Sequence, residues 1–111
     1  MRNEILQKIQ AGYAGTKSNV EHNVLVPGKS GYFHRIDIVI SYEFLRLRNI
    51  LVECKQHTRP ISVGLVRNFF GSTHDTNSSG MMFTTTGYQP GAKTFANHYG
   101  IELVCLKEIK K

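Results

Sequence analysis

Apolar and polar positions alternate through the first half of the chain and change period in the second. "VEHNVLV" (20–26) and "YFHRIDIVISY" (32–42) repeat every two residues, and "PGKSG" between them, with Pro27, Gly28 and Gly31, is turn chemistry. Together they predict a hairpin. After the connection "EFLRLRN", where Leu45 and Leu47 alternate with Arg46 and Arg48, "ILVECK" (50–55) predicts a third strand. From Pro60 the period becomes helical: Ile61, Leu65, Val66, Phe69 and Phe70 share one face, with Pro60 in the first turn and Gly71 placed to end the helix. "STHDTNSSG" then reads as a polar loop and "MMFTTT" as a short strand. "QPGAKTFANHYG" reads as a helix, with Pro90 near its start, Ala92, Phe95, Ala96 and Tyr99 on one side, and Gly100 just past its end. "IELVCL" is a last strand before a basic tail. At the N-terminus Ile5, Leu6 and Ile9 recur at helical spacing after a capping Asn3, and "AGYAGTKSN" closes that helix. The order helix, three strands, helix, strand, helix, strand predicts an α/β fold. Its mixed sheet of about five strands is flanked by helices, and its first three strands are antiparallel.

A chain of 111 residues implies one domain, 1–111, with a modest core and no room for a separate recognition module. The formal charge of +6 and ordinary apolar content of 41% describe a folded basic protein, for which a polyanion is the expected partner. The charged N-terminus offers neither a signal peptide nor a membrane span, which implies a cytoplasmic protein without membrane partners. Cys54 and Cys105 lie in apolar strand runs and are expected as reduced, buried thiols. Zinc is not expected, because Cys54-x-x-His57 lacks a second cluster and His22, His34, His74 and His98 are scattered. "GKS" at Gly28 to Ser30 is not a phosphate loop: Asn23 stands where that motif needs glycine, and a strand follows.

The chemistry gathers around "LVECKQ" (51–56). Strand alternation puts Leu51, Glu53 and Lys55 on one face and Val52 and Cys54 on a core face, with the carboxylate and the ammonium about 7 Å apart along the strand. In the preceding strand Ile36, Ile38 and Ile40 form the apolar set, leaving Asp37 with Arg35 and Val39 on the other side, towards the cleft of Glu53. Two carboxylates on neighbouring strands make a site for a hard divalent ion such as Mg²⁺, and the adjacent lysine can position water and stabilise charge on a phosphate. On spacing alone the pattern is better described by a solvated Glu–Lys pair and a lone surface aspartate.

Asp37, fifteen intervening residues and Glu53-Cys54-Lys55 resemble the D…(D/E)-x-K signature of the restriction-endonuclease-like nucleases, PD-(D/E)XK, with Ile36 in place of the proline. "VRNFFG" and "MMFTTTGYQPGAKTFANHYGIELV" resemble the Mrr-type branch, the catalytic domain of type IV restriction endonucleases. The resemblance spans roughly residues 20 to 106. It implies the fold above, DNA as substrate, and dependence on Mg²⁺, with Mn²⁺ able to substitute. By that likeness Asp37 and Glu53 are metal ligands, Lys55 is the catalytic lysine, and the main-chain carbonyl of Cys54 completes the metal shell. Glu4 matches a first-helix glutamate of many relatives, although helical periodicity turns it away from the Ile5, Leu6, Ile9 face. Lys29 and Ser30 at the hairpin tip, Arg35, Arg59, Arg67 and Lys93 are candidate contacts to the DNA backbone, which set affinity without reading sequence, and Gln56 is a candidate near the scissile phosphate. Thr84, Thr85 and Thr86 are expected chiefly as strand residues; Tyr32, Phe33 and Phe83 are expected as core or hairpin packing, with base stacking as the lesser alternative. The reading is a Mg²⁺-dependent DNA endonuclease core that hydrolyses phosphodiester bonds. It is expected to act as a homodimer, because cutting both strands needs two sites, and to take specificity from a lost or separate recognition module or from structure in the DNA. The alternatives are a Holliday-junction resolvase of the same superfamily and a DNA-binding module with this fold but no turnover.

Overall fold

The computed structural model describes residues 18–42 and 49–106. Five strands, β1 (Ser18–Pro27), β2 (Phe33–Tyr42), β3 (Ile50–Lys55), β4 (Ser79–Thr84) and β5 (Glu102–Cys105), and two helices, α1 (Val63–Asp75) and α2 (Pro90–Tyr99), make up these segments. The sheet runs β1-β2-β3-β4-β5, so the expected mixed α/β architecture is present. β1, β2 and β3 are antiparallel, and β3, β4 and β5 are parallel. Connection length dictates this pattern. A tight turn joins β1 to β2, closed by Gly28 N–H donating to the Tyr32 carbonyl at 2.8 Å, whereas α1 and α2 carry the chain back to start a parallel neighbour. The expected N-terminal helix with Glu4, most of the connection "EFLRLRN" and the basic tail lie outside the described residues. Among the described residues no helix is long and apolar enough to cross a membrane.

α2 follows its sequence signals: Pro90 opens it, and Gly100, at φ 74°, closes it while Ile101 N–H donates to the Ala96 carbonyl at 2.9 Å. α1 departs from them at both ends. It starts at Val63 rather than Pro60 because Ile61 is drawn into a bridge with Tyr88, its N–H donating to Gly87 and its carbonyl accepting from Gln89, each at 2.9 Å. It also runs past Gly71 to Asp75, since Thr73 continues the buried face one turn beyond Phe69 and donates its hydroxyl to the Phe70 carbonyl at 2.8 Å. The segment expected as a polar loop is therefore the last turn of α1, a left-handed Asn77 (φ 52°) and the start of β4.

Two apolar clusters sandwich the sheet. One, against the helices, holds Ile36, Val39, Leu51, Phe69, Met82 and Ala96; the other holds Ile38, Ile40, Val52, Met81, Phe83 and Leu106. Val20 packs with the second cluster, yet Val24 and Val26 pack with the first; likewise Ile38 and Ile40 belong to the second and Ile36 to the first. Both strands thus change phase, at Asn23 and Asp37, between the pairs His22↔Ile38 and Val24↔Ile36. Asn23 has φ 54°, a left-handed conformation that asparagine tolerates and that redirects the chain's alternation. This corrects the expectation that Ile36, Ile38 and Ile40 share a face opposite Asp37, Arg35 and Val39. Val39 is buried on the helix side, and Asp37 sits at the discontinuity.

Other expectations change with exposure. Cys105 lies exposed on the edge strand β5, while Cys54 is half-buried against the second cluster. Phe83 is core, but Tyr32 and Phe33 are 67% and 58% exposed. Of the three threonines only Thr84 remains in β4, buried; Thr86, beyond it, donates its hydroxyl to the Arg59 carbonyl at 3.0 Å.

Candidate active site

β2 and β3 pair through only Ile38↔Val52, Val39↔Leu51 and Ile40↔Ile50. Past Ile38 a side chain replaces the ladder: Cys54 N–H donates to Asp37 Oδ2 at 3.0 Å. The phase change at Asp37 thereby fixes its carboxylate against the segment that carries Glu53 and Lys55. Those two side chains, on the helix side of β3, form an ion pair of 3.3 Å and are 22% and 29% exposed. They line a hollow of about 130 Å³ with Arg35, Ile36, Leu65, Asn68, Phe69 and Ser72.

Burial pushes the Glu53 carboxyl above the ordinary carboxylate range, and the negative charge of Asp37 pushes it further; Lys55 opposes both through its charge and its hydrogen bond. A lysine alone does not relieve this carboxylate pair, and a hard cation would. Among the described residues no group of three or more His, Cys, Asp or Glu side chains is arranged to hold a metal. The oxygens beside Lys55 that could hold an ion are the carboxylates of Asp37 and Glu53 and the main-chain carbonyl of Cys54. That set suits Mg²⁺, which takes few protein oxygens and keeps several waters.

The structure brings Asp37, Glu53, Cys54 and Lys55 together and adds Arg35 at the rim of the hollow. It places other expected residues elsewhere. Lys93 lines a separate hollow with Tyr88, Asn97 and Cys105, and Lys29 lines a third with His74, Ser79 and Tyr99. Ser30 is committed to the end of α1, its N–H and hydroxyl donating to the Asp75 carboxylate at 2.9 and 2.6 Å. Gln56, Arg59 and Arg67 are exposed, and Gln56 follows the last residue of β3. Asn68 and Ser72 were missed by sequence reasoning. They extend the Leu65 side of α1 at i+3 and i+7, a signal that a helix stopped at Gly71 hides.

The Mrr_cat family, described as a restriction endonuclease, matches residues 10–111. The chain belongs to this restriction endonuclease family. No curated protein matches it. Solved structures share the Mrr_cat chain's fold. A protein of unknown function, AF1548, superposes with a TM-score of 0.73 at 20% identity, over 96% of this chain and 57% of that one. A repair endonuclease from Pyrococcus abyssi gives 0.60 at 15% identity, over 96% and 45%. Protein VC1899 from Vibrio cholerae gives 0.66 at 16% identity, over 96% and 29%. The chain therefore spans little more than half, or less, of the length of the structures it matches.

Proposed function

We propose that this member of the restriction endonuclease family is a Mg²⁺-dependent DNA endonuclease whose reaction centre is Asp37, Glu53 and Lys55. The observation that carries the reading is the convergence of these three side chains where the β2–β3 ladder gives way to the Asp37–Cys54 hydrogen bond. Asp37, Glu53 and the Cys54 carbonyl would hold the ion, with Mn²⁺ able to replace Mg²⁺. When bound, such an ion lowers the pKa of a coordinated water and neutralises phosphate oxygens. The Cys54 N–H donates to Asp37 Oδ2 and so orients the carboxylate that would hold the ion. The Lys55 ammonium, paired with Glu53 in the absence of substrate, donates hydrogen bonds to the attacking water and to the scissile phosphate, stabilising the charge that develops there. Arg35 at the rim, with Arg59 and Gln56 on the loop after β3, contacts neighbouring phosphates and sets affinity without reading bases. Two copies of the chain would cut two strands, and a separate module would supply specificity.

The test uses supercoiled plasmid and a synthetic four-way junction, with Mg²⁺ or chelator, beside Asp37→Ala and Lys55→Ala. Mg²⁺-dependent cutting that both variants lose is the expected result. Retardation of DNA without cutting under every condition overturns the reading, and symmetric cuts confined to the junction redirect it to a resolvase.

A further inference from the structure

β3 supplies one wall of the hollow at Glu53 and Lys55, and α1 supplies another. The helix wall is a single row: Leu65, Asn68, Phe69 and Ser72 recur at i, i+3, i+4 and i+7 and so share one side of α1. Leu65 and Phe69 belong to the helix-side apolar cluster, which fixes how the helix is turned. Asn68 is thereby carried to the mouth of the hollow, where it is exposed, while the Glu53 carboxylate and the Lys55 ammonium lie deeper, at 22% and 29% exposure.

An exposed asparagine on a helix is ordinarily a solvated residue, but three observations set this one apart. Asparagine is unfavourable in a helix interior, because its amide competes for main-chain hydrogen bonds. Among the described residues the Asn68 side chain nonetheless has no hydrogen-bond partner, whereas Thr73 on the same helix donates to the Phe70 carbonyl at 2.8 Å. The side chain is also neutral where a charge would interfere. A carboxylate here would repel an incoming phosphate, and a cation would compete with Lys55 for Glu53. Lastly, α1 carries no acidic residue before Asp75, so its own side chains do not oppose an anion in the hollow. A free amide donor at the mouth of a small hollow that also holds an ammonium is the chemistry that takes a phosphate oxygen.

We propose that Asn68 is a substrate-binding residue whose side-chain amide donates to a non-bridging oxygen of the DNA phosphate that enters the hollow beside Lys55. The inference rests on the nuclease reading for the identity of the polymer, and it adds to the strand-borne centre a contact made from the helix. Binding is read by anisotropy of a labelled duplex with Mg²⁺ present, in a Lys55→Ala background that keeps the DNA whole; cutting of plasmid is read in the protein that retains Lys55. Asn68→Ala is expected to weaken binding roughly tenfold, as loss of one hydrogen bond to a charged group does. In the cutting assay it raises KM by a similar factor and changes kcat little. The slope of affinity against salt stays the same, because a neutral donor releases no counterion. Alanine is the better helix former, so the variant keeps its melting temperature. Asn97→Ala on α2, beside a separate hollow, changes none of these quantities. An Asn68→Ala variant with unaltered affinity and KM overturns the proposal, as does a loss that Asn97→Ala shares or that a fall in melting temperature accompanies. Weaker binding by Asn68→Ala in a protein that never cuts DNA would sink the nuclease reading and leave the phosphate contact standing. Mg²⁺-dependent cutting that Asn68→Ala leaves unaltered would sink the contact alone.

Discussion

Asp37 and Glu53 are two carboxylates held close by main-chain geometry, and Lys55 answers only part of their charge. The roles assigned to them separate in one comparison. Lys55→Ala is expected to lower Mg²⁺-dependent cleavage by at least about 10²-fold, as removal of a group that stabilises developing charge does. Mg²⁺ is expected to raise the melting temperature, and Lys55→Ala should leave that rise intact, because an ammonium is not a metal ligand. A melting shift lost together with activity would make Lys55 a part of the metal site's architecture instead. The pairing of Glu53 with Lys55 was legible in the sequence because both sit in a regular strand, where alternation holds. The setting of Asp37 was not: counting by twos through "RIDIVIS" assumes an unbroken ladder, and nothing in that β-branched run marks the shift caused by a left-handed Asn23 on the neighbouring strand.

Among the elements, the junction between the hairpin and α1 depends most on single side chains. Asp75 is the last residue of α1, where the helix dipole disfavours a carboxylate. Hydrogen bonds from His34 and then Ser30 nonetheless hold its pKa near 2, below the ordinary 3.8. A carboxyl whose pKa is depressed on folding contributes stability that is present above its unfolded value and is lost as pH falls through its folded one. The contribution of Asp75 is therefore complete above about pH 4 and disappears between there and pH 2. Asp75→Asn should remove that portion of the acid transition followed by circular dichroism; an unaltered acid limb would show that the carboxylate does not anchor the hairpin. Gly28→Ala drives a methyl group into the same carboxylate and should loosen the turn. Gly80→Ala meets Thr73, Phe69 and Ile101 at 2.7, 2.8 and 3.0 Å, so overpacking should cost about 1–3 kcal/mol in urea unfolding. β3 and α2 were readable to the residue, or nearly so, from their patterns and caps. The far half of α1 was not, because a solvent-facing glycine resembles a stop and a buried threonine resembles a loop.

At the scale of the whole molecule, a mixed five-stranded sheet carries its two described helices towards one face and holds Glu53 and Lys55 beneath α1. A net charge of +6 supplies affinity for a polyanion without specificity, so DNA binding should weaken steeply with added salt, as a titration by anisotropy would read. A flat salt response would contradict a backbone-led interaction. The central claim, that Asp37 and Glu53 together hold a single cation, is tested most directly by titrating Mn²⁺ into the protein under electron paramagnetic resonance. One bound ion per chain, lost in both Asp37→Asn and Glu53→Gln, is the predicted result; a bound ion that persists in both variants would contradict it.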